Sequence, residues 1–143
     1  MVKDYLTEEQ QASLVEAIKV AESFSTGEIR VHIDTQSEHH HAKRAFEVFQ
    51  SLGMQDTKHR NAVLFHINFD NKYLTIIGDE GIHKKVKQDF WNGLHDEITT
   101  SFAQGKYYSG LKEAILKAGQ ELKKYFPIEG QNHNELPNEI TFS

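Results

Sequence analysis

The chain has 143 residues, 38% hydrophobic and 26% charged, with a formal net charge of -5; these are the values of one globular domain, large enough to bury about two-thirds of the surface its unfolded form exposes. The acidic balance and the scattered Lys and Arg residues argue against a nucleic-acid partner, and the lack of cysteine excludes a disulfide framework, a thiolate nucleophile and a thiolate metal site. No run approaches the roughly 18 apolar residues of a membrane span, and the start Met1-Val2-Lys3-Asp4 carries no apolar leader core, so a cytoplasmic monomer without membrane insertion is expected.

Thr7 followed by Gln10 reads as a capping box, and Leu14, Ile18 and Ala21, with Val15 and Glu22 among them, form one apolar helical stripe. This predicts a first helix from about Thr7 to Ser23. From Glu28 to Asp34 the pattern alternates, Ile29, Val31 and Ile33 against Arg30, His32 and Asp34, as in a half-buried strand. A second helix follows from about His39 to Leu52, with Ala42, Ala45, Phe46, Phe49 and Leu52 on one face and Gly53 as its stop. Ala62 to Phe69 and Tyr73 to Gly78 read as two strands joined by the Asp70-Asn71 turn, which favours an antiparallel hairpin. Val86, Phe90, Leu94, Ile98 and Phe102 mark a third helix, and Leu111, Ala114, Ile115, Ala118 and Leu122 a fourth, ended by Pro127. The segment 127–143 is polar and irregular, with a short strand-like piece at Glu139 to Phe142 that carries too little pattern to place.

A strand-helix-strand crossover makes the first two strands parallel, so Gly27-Glu28 and Arg60-Asn61 both lie where strands begin. The third strand returns antiparallel and brings Gly78-Asp79-Glu80-Gly81 to that same end. Three carboxylates, an arginine, an asparagine and two hydroxyls (Ser25, Thr26) then share one rim, with glycines that let backbone approach a ligand. Hard oxygen donors without sulfur are the ligand set of Ca²⁺ or Mg²⁺. Glu28, Asp79 and Glu80 are the candidate metal ligands, and Thr26, Arg60 and Asn61 the candidate ligand-binding residues around them. The same residues also admit a purely structural reading, in which Glu28 caps or pairs with Arg60 and Asp79-Glu80 cap a helix starting near Gly81.

The run His39-His40-His41 falls at the opposite end of the sheet, and successive helical residues point about 100° apart, so it reads as a solvated helix start and not as a metal site. His32 and His66 fall in strands and read as packed or surface histidines. The aromatics Phe90, Trp91, Phe102, Tyr107 and Tyr108 read as core. No esterase elbow, phosphate loop, zinc-protease helix or EF-hand loop is present, and no catalytic residue is assigned.

Four stretches carry a resemblance that covers nearly the whole chain in order: Thr26-Gly27-Glu28-Ile29-Arg30-Val31-His32-Ile33, Thr57-Lys58-His59-Arg60-Asn61-Ala62-Val63-Leu64, Ile77-Gly78-Asp79-Glu80-Gly81-Ile82-His83 and Asn134-Glu135-Leu136-Pro137-Asn138-Glu139-Ile140. Together they resemble the TPM-domain family, and most closely its short bacterial members without a signal sequence. The resemblance implies a single domain over 1–143: a small mixed sheet of three to four strands with helices on both faces, an α/β three-layer sandwich. It also implies three kinds of role, since a thylakoid-lumen relative is described as an acid phosphatase, an animal relative as a receptor accessory subunit, and bacterial relatives as Ca²⁺ binders. The expectations are therefore a divalent-cation-binding domain, with a weak metal-assisted phosphomonoesterase and a protein-interaction module as the alternatives.

Overall fold

The computed structural model describes residues 2–36, 40–128 and 138–143; His39 of the histidine run and residues 132–137 around the tail motif lie outside them. Capping chemistry sets the first helix. Thr7 Oγ1 accepts from the Gln10 amide at 3.1 Å, while the Gln10 side chain accepts from the Thr7 amide at 2.9 Å, and α1 spans Glu8–Glu22. The chain turns into β1 (Glu28–Ile33), crosses through α2 (His41–Ser51) and returns as β2 (Ala62–Asn68). β2 is parallel to β1, with Glu28 opposite Ala62 and Ile33 opposite Ile67. Gly53 ends α2 in the left-handed region at a φ of 69°. β3 (Tyr73–Gly78) folds back antiparallel on β2, and α3 (Glu80–Ala103) and α4 (Tyr107–Tyr125) follow. The tail piece becomes β4 (Thr141–Phe142), parallel to β1, so the sheet order is β3-β2-β1-β4.

Each face of the sheet carries its own core. Ile29, Val31, Ile33, Val63, Phe65 and Ile67 pack against α1, α3 and α4 through Leu14, Ile18, Ile98, Leu111, Ile115 and Leu122. On the other face Ala62 and Leu64 meet Val48, Phe49 and Met54. The architecture is thus the expected α/β one, a small mixed sheet between helical layers.

Two expectations need correction. β1 was expected to be half-buried, but Arg30, His32 and Asp34 are buried along with the apolar residues between them: β4 lies alongside, Thr141 and Ser143 contact His32, and Arg44 of α2 reaches Asp34. Phe46 was expected on the buried face of α2, yet it is 52% exposed. Ala45, Val48, Phe49 and Leu52 form the i, i+3, i+4, i+7 set that faces the sheet, and Phe46 falls about 100° away. The third helix also starts earlier than its apolar spacing indicates and is broken at Lys87, whose φ is 65° and ψ 175°. Trp91 Nε1 donates to His83 Nδ1 at 3.0 Å and so ties the two segments together across the break.

Candidate functional site

Ladder hydrogen bonds bring the turns at the start of β2 and the end of β3 together. The Asp79 amide donates to the Ala62 carbonyl at 2.9 Å and the Gly81 amide to the Arg60 carbonyl at 2.7 Å. Only glycine fits at position 81, since a Cβ there would stand 2.1 Å from the His59 carbonyl oxygen and 2.6 Å from that of Arg60. Arg60 is itself in the left-handed region, at a φ of 52°. Its guanidinium grips Asp79 through two hydrogen bonds, Nε to Oδ2 at 2.6 Å and Nη2 to Oδ1 at 2.9 Å, and Nη1 lies 3.6 Å from Glu80 Oε1. Asp79 Oδ1 also accepts from the Glu80 amide at 2.9 Å and caps α3.

The first turn joins through Asn61, whose Nδ2 donates to Thr26 Oγ1 at 3.2 Å. Asn61 is fully buried, and its Oδ1 accepts no hydrogen bond among the described residues. Glu28 is buried where β1 begins. Beside it lies Glu22, the last residue of α1 and also buried, whose Oε1 accepts from the Ile29 amide at 2.6 Å. Burial, helped by the charge of Glu28, pushes the Glu22 carboxyl up to about 9 against the opposing pull of the Ile29 amide. At neutral pH Glu22 therefore keeps a proton and bonds through it to Glu28.

Of the residues singled out from sequence, Arg60, Asp79 and Glu80 form one ion-paired group, Thr26 and Asn61 a second, and Glu28 a carboxyl pair with Glu22. Glu22 was passed over because it was counted within the apolar stripe of the first helix. An acidic residue four positions after Ile18 on a core-facing stripe was the available signal.

A different group sits on the α2 face of the sheet. The register of the parallel pair sets His32 directly opposite His66, with ring centroids 5.4 Å apart and planes 15° from parallel. Asp34 follows on the same face, and one ligand atom from each of His32, Asp34 and His66 lies within 4.8 Å of the others. These three are a possible metal-binding triad. His32 contacts Thr141 Oγ1 through Nδ1 at 2.8 Å and Ser143 Oγ through Nε2 at 2.6 Å. His66 has no exposed side-chain surface; its Nε2 is 3.3 Å from Asp34 Oδ2, yet neither ring nitrogen makes a hydrogen bond among the described residues. Arg44 Nε donates to Asp34 Oδ2 in a short contact, and Arg44 Nη2 donates to Ser143 Oγ at 3.1 Å. Burial lowers both histidines, His32 to about 4, so their imidazoles are neutral. Burial alone would raise Asp34, but its bonds from Arg44 and the Gln36 amide outweigh that and hold it below the usual carboxylate range. His41, from the histidine run, opens α2 and stacks on Tyr73 at 4.2 Å.

The arrangement is that of a small three-layer α/β domain with polar groups built from strand ends. The TPM-domain family matches residues 2–121, and the chain belongs to that family. The solution structure of BA42 from the psychrophilic bacterium Bizionia argentinensis is 40% identical, with a TM-score of 0.91 over 100% of this chain and 99% of that one. The N-terminal domain of a P. gingivalis protein, at 18% identity and a TM-score of 0.72 over 90% of this chain and 83% of that one, shares the fold. No curated protein matches. Among the described residues no helix is long and apolar enough to cross a membrane.

Proposed function

We propose that this domain binds a divalent cation, Ca²⁺ in preference to Mg²⁺, at the rim where β1 and β2 begin and β3 ends. Glu28, Asp79 and Glu80 supply carboxylates, and Asn61 and Thr26 supply neutral oxygens. The observation that carries the reading is the buried Asn61 Oδ1, which accepts no hydrogen bond among the described residues, at the strand end where the Glu22–Glu28 carboxyl pair is also buried. Buried oxygens without full compensation are costly, and a cation bound among them would offset that cost. Such a site takes oxygen ligands only, which favours Ca²⁺ over transition ions. Arg60 holds Asp79 in place and is the positive charge that an entering cation has to displace, so the affinity is modest.

The test is a Ca²⁺ titration of the metal-stripped protein followed by amide NMR, with Mg²⁺ as the control. Saturable shifts centred on residues 27–28, 60–61 and 78–81 are expected. Their absence there, or Ca²⁺ shifts confined to Asp34, His40, His41 and Asp70, overturns the reading. A second reading, a weak phosphomonoesterase, draws on the partly exposed Arg60 guanidinium at the same rim, which would clamp a phosphoryl group beside the cation. Hydrolysis of a generic phosphomonoester that persists unchanged in Arg60→Ala removes that mechanism.

A further inference from the structure

The three-residue cluster on the α2 face differs in chemistry from the oxygen-only rim. Two imidazoles and one carboxylate are the donor set that suits first-row transition ions and serves Ca²⁺ poorly. Tetrahedral zinc holds its nitrogen and oxygen ligands at about 2.0–2.2 Å, which places them roughly 3.3 Å from one another. The atoms here are already within 4.8 Å, so a modest ring rotation closes the gap. His66 is the ring free to make it. Its side chain is fully buried, and among the described residues neither nitrogen has a hydrogen bond to give up, Asp34 Oδ2 standing 3.3 Å from Nε2. A buried imidazole in that state ordinarily costs stability, and a bound ion is the partner that would satisfy it.

We infer that His32, Asp34 and His66 form a binding site for a first-row divalent transition ion, with Zn²⁺ as the probe, independent of the rim. His32 exchanges one of its two hydroxyl contacts for the ion, and the released Ser143 or Thr141 hydroxyl, or a water, supplies the fourth position. Arg44 is the built-in competitor, since it holds Asp34 Oδ2 and its side chain is 20% exposed. An ion taking Asp34 sends the guanidinium outward to solvent. All three ligands are buried, so the ion crosslinks β1 to β2 and does not face a substrate.

The experiment uses the metal-stripped chain, titrated with Zn²⁺ by calorimetry and with Co²⁺ by visible absorption, while imidazole ¹⁵N resonances are followed by NMR. One saturable Zn²⁺ event that shifts the rings of His32 and His66, and intense Co²⁺ bands of tetrahedral coordination, are expected. His66→Gln should weaken Zn²⁺ binding at least about 100-fold, since even an outer-shell partner is worth 10- to 100-fold. Arg44→Gln should strengthen binding, and the double variant His39→Asn, His40→Asn should leave it unchanged. Equal affinity in His66→Gln, loss of binding in the double variant, or ring resonances that do not move overturns the inference. If His66→Gln does not fold, the ring resonances of the parent chain decide alone. Ca²⁺ titrates only the rim, so failure there leaves this result standing, and the reverse also holds.

Discussion

Replacing Glu22 by Gln keeps the acceptor for the Ile29 amide and the size of the side chain but removes the ionisable group. The sign follows from the direction of the shift. With its folded value raised from 4.5 to about 9, the native state holds a proton that the unfolded chain has released across that window, so stability falls as pH rises through it. Below pH 4.5 both states are protonated and nothing is lost. At pH 7 the gap above the ordinary value corresponds to about 3 kcal/mol at 1.36 kcal/mol per unit, a sizeable part of the roughly 5–15 kcal/mol that holds a domain folded. Glu22→Gln should therefore match the parent near pH 4 and exceed it by about 3 kcal/mol at pH 7, with the difference widening toward pH 8.5. Urea unfolding in chelator, followed by far-ultraviolet circular dichroism at those three pH values, measures it. Comparing variant with parent at each pH cancels the titration of the buried histidines. A difference that stays flat from pH 5 to pH 8 would refute the claim that Glu22 is buried with its proton.

Gly81→Ala forces a Cβ into the His59 and Arg60 carbonyls and should destabilise by about 3 kcal/mol, whereas Gly93→Ala, in α3 with open space around it, should stabilise by roughly 1 kcal/mol; parallel thermal melts give both signs. Ile98→Ala opens a cavity at a fully buried core position and should cost about 2–5 kcal/mol in urea denaturation. Glu28→Gln should lower Ca²⁺ affinity at least tenfold in calorimetry while leaving Zn²⁺ affinity unchanged, and an equal loss for both ions would merge the two sites into one.

Local chemistry made most of the elements readable in advance. The Thr7–Gln10 capping box, the Gly53 stop and the Asp70-Asn71 turn act within a few residues, so their signals survive in the sequence. The convergence of Gly27, Arg60 and Asp79 at one end also followed, because one parallel and one antiparallel connection leave little freedom. What was not legible depended on burial from elsewhere. The polar face of β1 reads as solvent-facing until the tail strand and Arg44 are placed, with Thr141 and Ser143 on His32 and Arg44 on Asp34, and His32, Asp34 and His66 then form a buried cluster. Glu22 was hidden by the reverse effect, a charged residue absorbed into an apolar stripe, whose proton follows first from its burial and then from the neighbouring Glu28. The break at Lys87 leaves no residue signature at all, since lysine is an ordinary helix former.

The bond between Trp91 and His83 across that break has a practical consequence. Trp91 is the sole tryptophan of the chain and is 6% exposed, with its ring so close to Gly78 that a Cβ there would fall 2.2 Å from it. The indole thus touches the residue just before Asp79, while its N–H reaches the first turn of the helix that Asp79 caps. Its emission is an intrinsic, label-free optical probe of the turn at the end of β3, sensitive to any ligand that reorganises residues 78–83 and silent to changes confined to the exposed surface.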